Sequence, residues 1–145
     1  MISIEKLSSV TTDSVGEINA LMKELRSDAT SDALSTPEDM AHVLGDKDII
    51  VVAVKDDERI VGIATLYVIP KIGKKISHVE DVVVSSAYRG QGLGEKLIRK
   101  VIEIAKENGV SSIGLTSRPS REAANKLYQK VGFTQKETNV YRMSF

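Results

Sequence analysis

Residues 79–107 read "VEDVVVSSAYRGQGLGEKLIRKVIEIAKE", and this stretch limits the fold more than any other in the chain. The run Val82, Val83, Val84 is β-branched and suits a strand. Three glycines follow, Gly90, Gly92 and Gly94, where a backbone must turn tightly or approach another group closely. Leu93, Leu97, Ile98, Val101, Ile102 and Ala105 then recur at helical spacing, while Lys96, Lys100 and Glu103 lie away from that stripe. Asn108-Gly109 ends the helix. A strand that passes through a glycine turn straight into an amphipathic helix needs a sheet with a helix laid across it. Purely helical and purely β folds are therefore excluded.

The remaining segments fit such a layer fold. "ISIEKL" alternates and predicts a first strand. "SVGEINALMKELRSD" predicts a helix, with Ser14-x-x-Glu17 as its capping box and Ile18, Leu21, Met22 and Leu25 as its apolar stripe. "SDATSDALS" reads as a loop. "TPEDMAHVLG" predicts a second helix, with Thr36 as cap, Pro37 in the first turn and Gly45 at the end. "DIIVVAVK" and "IVGIATLYVI" predict a hairpin across "DDER". "ISHVEDVVV" is the next strand, reached through the basic turn "PKIGKK". "SSIGLTS" is a short strand, a helix runs from near Ser120 to Lys130, and "FTQKE" and "NVYRMSF" read as closing strands. The expected order is β-α-α-β-β-β-α-β-α-β-β, a mixed α/β (α+β) fold in one domain over residues 1–145.

Composition narrows the function. The 20 basic and 20 acidic residues cancel, which argues against a nucleic-acid partner bound through bulk charge. There is no cysteine, so a disulfide framework, a thiolate metal site and a cysteine nucleophile are all excluded. No apolar run reaches the length of a membrane span, and "MISIEKLSSV" lacks a signal-peptide core, so no membrane partner and a cytoplasmic location are expected.

The glycine turn has the makings of a phosphate site. The first N–H groups of a helix lack internal partners and sit at the positive end of its dipole. Glycines let that backbone press against phosphate oxygens, and Arg89 adds a permanent charge. A P-loop would end in Gly-Lys-Ser/Thr, which "GLGEKL" does not supply. A dinucleotide fingerprint would carry G-x-G-x-x-G and an acid about twenty residues on, where this chain has "IGLTS".

"YRGQGLGEKLI" resembles the R/Q-x-x-G-x-G/A signature of the GNAT superfamily of N-acetyltransferases, with Arg89, Gly92 and Gly94 in its defining positions. "ANKLYQKVGF" is similar to that superfamily's second signature, a helix carrying a tyrosine before Gly-Phe. The element order resembles the family's fold over nearly the whole chain. The resemblance implies a mostly antiparallel central sheet flanked by helices, acetyl-CoA as donor, no metal and a primary amine as acceptor. The acceptor could be a small amine, an amino sugar phosphate or a protein amine. The implied cofactor contacts are Val82, Val83 and Val84 on the strand, Arg89, Gly90, Gln91, Gly92, Leu93 and Gly94 in the turn, and Glu95 and Lys96 opening the helix. Many relatives dimerise through their C-terminal strands, so a homodimer is among the implied arrangements. A GNAT-like module that senses acyl-CoA without turnover is the alternative to an enzyme, and a nucleotide-binding regulator is a weaker third.

Acetyl transfer to an amine needs specific groups. An alkyl ammonium has a pKa near 10.4 and must lose a proton before it can attack. The leaving thiolate benefits from an acid. Without cysteine, direct transfer in a ternary complex is simpler than an acyl-enzyme route. Tyr128 in "NKLYQKVGF" matches the family's thiolate-protonating tyrosine. Glu80 is the candidate base. Strand alternation places His78, Glu80, Val82 and Val84 on one face and Val79, Asp81 and Val83 on the other. "HVEDVVV" also resembles the strand of glucosamine-6-phosphate acetyltransferases, and Asp81, His78 or a water remain alternatives as base. Asn125 and Arg121 are further cofactor candidates on the last helix, and Ser120 is read as its cap. Lys71, Lys74, Lys75 and Arg142 border the expected acceptor side.

Overall fold

In the computed structural model, residues 1–26 and 34–145 are described. Most of the loop "SDATSDALS" lies outside them. The elements run β1 (Ile2–Lys6), α1 (Thr12–Leu25), α2 (Pro37–Gly45), β2 (Ile49–Asp56), β3 (Arg59–Lys71), β4 (Lys74–Val84), a 3₁₀ turn (Ser86–Tyr88), α3 (Leu93–Glu107), β5 (Ile113–Gly114) and α4 (Glu122–Lys130). The strands form one sheet in the order β1-β2-β3-β4-β5. The first four are antiparallel neighbours, and β5 joins β4 in parallel through Ser77–Ile113 and His78–Gly114.

Each face of the sheet carries its own core, because β2 and β3 are apolar on both sides. On one face Val52, Val54, Ala64, Leu66 and Val79 pack with Leu93, Leu97, Val101, Ile104 and Ala105 of α3. On the other, Val51, Ala53, Ile63 and Val83 pack with Ile18 and Leu21 of α1, and Met40, Val43 and Leu44 of α2 lie against them. The α3 stripe is the expected one, with Ile104 buried and Ile102 turned partly outward.

Four local expectations are corrected. The box that caps α1 is Thr11 with Ser14, one turn before the predicted start, and the Glu17 carboxylate accepts the Ile60 N–H across the fold at 2.9 Å. The N-cap position of α4 is Arg121, with no side-chain cap, so Ser120 does not cap the helix. "FTQKE" and "NVYRMSF" form no strands. "FTQKE" is polar and poor in β-formers, while Val140, Tyr141, Met143 and Phe145 of the second segment are exposed and pack on neither core.

The fourth correction concerns β4. Ile63 faces Val83 and Thr65 faces Glu80, so Ala64 alone opposes both Asp81 and Val82. This is a β-bulge, and the extra residue inverts the alternation beyond it. Val79 therefore shares the α3 face with Val82 and Val84, while Val83 turns to the α1 face. His78 and Glu80 do share a face, as expected, but Val82 and Val84 are not on it. Asp81 takes up the bulge at φ 56°, in a left-handed region that aspartate tolerates better than most residues.

Leu97 is fully buried against the sheet. Leu97→Ala should cost about 2–5 kcal/mol, because its cavity is walled by rigid strands. Urea unfolding measures it, and a loss below about 1 kcal/mol would mean that α3 can collapse onto the gap.

Candidate functional site

β4 continues six residues past its last pairing with β5, and the two strands part there. Between them opens a cavity of about 1120 Å³. Val79, Glu80, Asp81 and Val82 form one wall, and most of residues 115–121 with Tyr128 form the other. Glu24, Leu25 and Arg26 at the end of α1 close one side, and Val140 and Arg142 of the C-terminal segment reach another. Ser117, on this wall, has a buried hydroxyl with no hydrogen-bond partner.

The two catalytic candidates meet here. Tyr128 is buried, its ring edge-on to Phe133 at 6.0 Å between centroids. Burial pushes its phenol above the ordinary value, against a smaller opposing effect of Arg121. A phenol so placed stays protonated at neutral pH and can donate. Glu80 keeps half its side chain exposed, and its Oε1 lies 3.0 Å from His78 Nε2. Asp81 sits deeper. Its carboxyl is pushed up by desolvation and by Glu80, partly offset by the Arg26 guanidinium at 3.8 Å. Tyr67, on β3, is also raised, by burial and then by Asp81 and Glu80.

The glycine turn lies at the C-terminal end of β4, outside the residues that line the cavity. Gly90 and Gly92 adopt φ 78° and 74°, so both need glycine for conformation, and a Cβ on either would point into open space. Gly92 is the N-cap of α3 and provides no side-chain cap, so the first amides of the helix lack intrahelical partners. Gly94 lies against α4, where a Cβ would meet the Leu127 side chain at 3.4 Å, an ordinary contact. Leu93 is buried in the core, and Gln91 and Lys96 are exposed or partly so.

Several expected contacts are engaged elsewhere. The Arg89 guanidinium folds back, with Nε donating to the Val84 carbonyl at 3.2 Å and Nη2 3.4 Å from Glu24. The Glu95 carboxylate bridges Lys130 of α4 at 2.7 Å and Arg99 at 3.0 Å, which hold its pKa down. Asn125 donates to the Arg118 carbonyl at 3.0 Å and braces the loop before α4. Arg121 and Arg142 line the cavity; Lys71, Lys74 and Lys75 lie in the β3–β4 hairpin and do not. Among the described residues no His, Asp and Glu cluster could hold a metal.

Sequence reasoning did not single out Glu24, Arg26 or Arg118. Nothing in the pattern of α1 distinguishes its last turn from an ordinary solvated helix end.

A family model described as the acetyltransferase (GNAT) family matches residues 18–133. The chain belongs to the GNAT family. Among curated proteins it is 41% identical over 99 residues to a probable glucosamine 6-phosphate N-acetyltransferase from Oryza sativa, covering 64% of this chain and 58% of that one. It is 42% identical over 82 residues to a glucosamine 6-phosphate N-acetyltransferase from Trypanosoma brucei, covering 54% of each. The matched stretch thus spans a little over half the length of these relatives. Among solved structures, a Trypanosoma brucei acetyltransferase superposes with a TM-score of 0.79 at 27% identity, covering 100% of both chains. No described helix is long and apolar enough to cross a membrane.

The Asp81 carboxyl carries a testable linkage. Its folded pKa lies above the unfolded value of about 3.9, so its ionisation opposes folding once pH rises through that window. Asp81→Asn, which also tolerates positive φ, should therefore raise Tm at pH 7, with the gain disappearing as pH falls to about 4. Thermal melts at both pH values read this, and a variant less stable than wild type at pH 7 contradicts it.

Proposed function

We propose that the chain is an N-acetyltransferase domain that moves the acetyl group of acetyl-CoA to a primary amine by direct attack in a ternary complex. The observation that carries this reading is that a buried, protonated tyrosine and two strand carboxylates line one cavity, which lies where β4 and β5 part. The residues present fit acetyl-CoA. The α3 N-terminus and the open space over Gly90 and Gly92 suit a pyrophosphate. The β4 backbone from Val82 to Val84, with no strand neighbour beyond it among the described residues, suits an amide-bearing arm.

In this reading Glu80 receives a proton from the acceptor ammonium, directly or through water, with His78 orienting its carboxylate. The freed amine attacks the thioester carbonyl. A β4 amide near the bulge donates to the developing oxyanion, the C–S bond breaks as Tyr128 protonates the departing thiolate, and the proton still in excess on the attacking nitrogen passes to the Tyr128 phenolate, which leaves a neutral amide and a neutral tyrosine. Tyr128 and Glu80 together favour turnover over a sensor role, because binding alone requires neither.

The acceptor is inferred to be an amino sugar phosphate. The names of the two curated relatives support this class, and so do Arg26, Arg118, Arg121 and Arg142 on the cavity wall, since guanidinium suits phosphate. With acetyl-CoA and glucosamine 6-phosphate, wild type should release CoA. Tyr128→Phe and Glu80→Gln should each lower kcat by about 10²-fold or more with KM for acetyl-CoA little changed. Unchanged kcat in either variant removes that residue's role, and no CoA release from any amine removes the activity.

A homodimer is also proposed, formed through residues 139–145. Val140, Tyr141, Met143 and Phe145 are exposed together, a cost that a second copy would relieve. Light scattering should give twice the chain mass, and Tyr141→Asp with Phe145→Asp should return it to one. A monomeric wild type contradicts this.

A further inference from the structure

We propose that Glu24, on α1, is a positioning residue for the cofactor turn. The proposal rests on reading that turn as the site for the acetyl-CoA pyrophosphate. The 3₁₀ turn Ser86–Tyr88 has no cap from its own preceding residue, Ser85. Its first amide, Ser86 N–H, donates instead to Glu24 Oε2 at 3.0 Å, 62 residues away in sequence. Ser86 Oγ lies 3.4 Å from Glu24 Oε1, and Arg89 Nη2 lies 3.4 Å from Oε2. Arg89 Nε in turn donates to the Val84 carbonyl. One carboxylate therefore holds both ends of the segment Ser86–Arg89, which delivers the chain to Gly90.

The position of that carboxylate matters because two flexible glycines lie downstream of it. Gly90 and Gly92 are joints with wide conformational freedom and do not set the direction of the chain by themselves. The direction is set upstream, at Ser86 and Arg89. Tyr88 is fixed as well, through its hydroxyl on Asp56 at 2.9 Å. Glu24 differs from that anchor because Glu24, Leu25 and Arg26 also wall the cavity. It joins the helix that borders the acceptor to the turn that receives the donor.

Two contributions of Glu24 have opposite signs for an anionic ligand. Its charge neutralises Arg89 and repels phosphate, while its hydrogen bond to Ser86 shapes the turn. The Arg89 side chain is 59% exposed, so the ion pair is screened and weak. The hydrogen bond to a backbone amide is charge-assisted and sets geometry. Positioning therefore outweighs repulsion.

Amide exchange in the free protein, followed by acetyl-CoA titration and steady-state kinetics, tests this. In Glu24→Ala, exchange should quicken at Ser86 and through the turn to Gly94. KM for acetyl-CoA should rise by roughly three- to ten-fold with kcat nearly constant, as expected for the loss of one charge-assisted hydrogen bond that acts on binding. Glu24→Gln keeps an acceptor oxygen and should return KM to near the wild-type value. If Glu24→Ala folds poorly, Glu24→Asp, whose carboxylate is withdrawn from Ser86, should show the same rise in KM. Wild-type KM in Glu24→Ala, a fall in kcat rather than a rise in KM, or a Glu24→Gln variant as weak as Glu24→Ala each overturns the proposal. If wild type itself does not bind acetyl-CoA, the reading of the turn falls and the proposal falls with it. If wild type binds and Glu24→Ala binds equally, only the role of Glu24 is lost.

Discussion

Two residues of β4 facing one of β3 is the constraint on which the rest of the site depends. Asp81 and Val82 share Ala64 as their partner, and the strand bends and changes phase at that point. Before the bulge, Val79 serves the α3 core; after it, Val82 and Val84 serve that same core and Val83 serves the other. Without the extra residue, Glu80 would still share a face with His78, but the valines after it would present the wrong sides to α1 and α3. The bulge also places a left-handed aspartate beside the cavity. Backbone in that region costs of order 1–3 kcal/mol and persists where surrounding structure holds it. Here Arg26 holds the side chain and two cores hold the strand.

Electrostatics at the cavity follow from burial rather than from net charge. Tyr128 and Asp81 are both pushed toward their neutral forms by desolvation, the first by aromatic and aliphatic packing and the second by its seat in the bulge. Glu80, one residue earlier, is more open to water and is paired with His78. Two adjacent carboxylates thus meet different surroundings: Asp81 is drawn toward its neutral form in the bulge, while Glu80 stands half exposed beside His78.

Much of this was legible in the sequence. The α3 stripe, the β2–β3 hairpin, the Thr36 cap with Pro37, and the strand–turn–helix all followed from periodicity and turn chemistry. Family membership followed from Arg89, Gly92, Gly94 and the later tyrosine. What escaped is non-local. A bulge is a relation between two strands, and "HVEDVVV" alternates no differently with one or without. The pattern places the α1 box one turn late because Thr11 and Ser14 both qualify as caps, and Glu17, the expected reciprocal partner, is drawn to Ile60. The last segment, "NVYRMSF", alternates well enough to be a strand, yet strand content also depends on an available partner, which no single segment records. Arg89, which the sequence pattern marks as a phosphate contact, is folded onto Val84 and Glu24, and the second of these contacts joins residues far apart in the chain.

The pairing of β4 with β5 ends after His78, while β4 runs on to Val84. That leaves a sheet edge in the interior of the molecule rather than at its rim. An outer edge is a template for any passing chain, and proteins commonly guard it with charges, prolines or bulges. This edge is guarded by access. Most of the 115–121 segment and Tyr128 stand opposite Val79–Val82 across the cavity, so a foreign strand would have to enter that space to pair there. A thin, amide-bearing ligand can still lie alongside. The fold thereby keeps backbone hydrogen-bonding capacity inside a cavity, where a narrow ligand would reach it more readily than a neighbouring protein's strand.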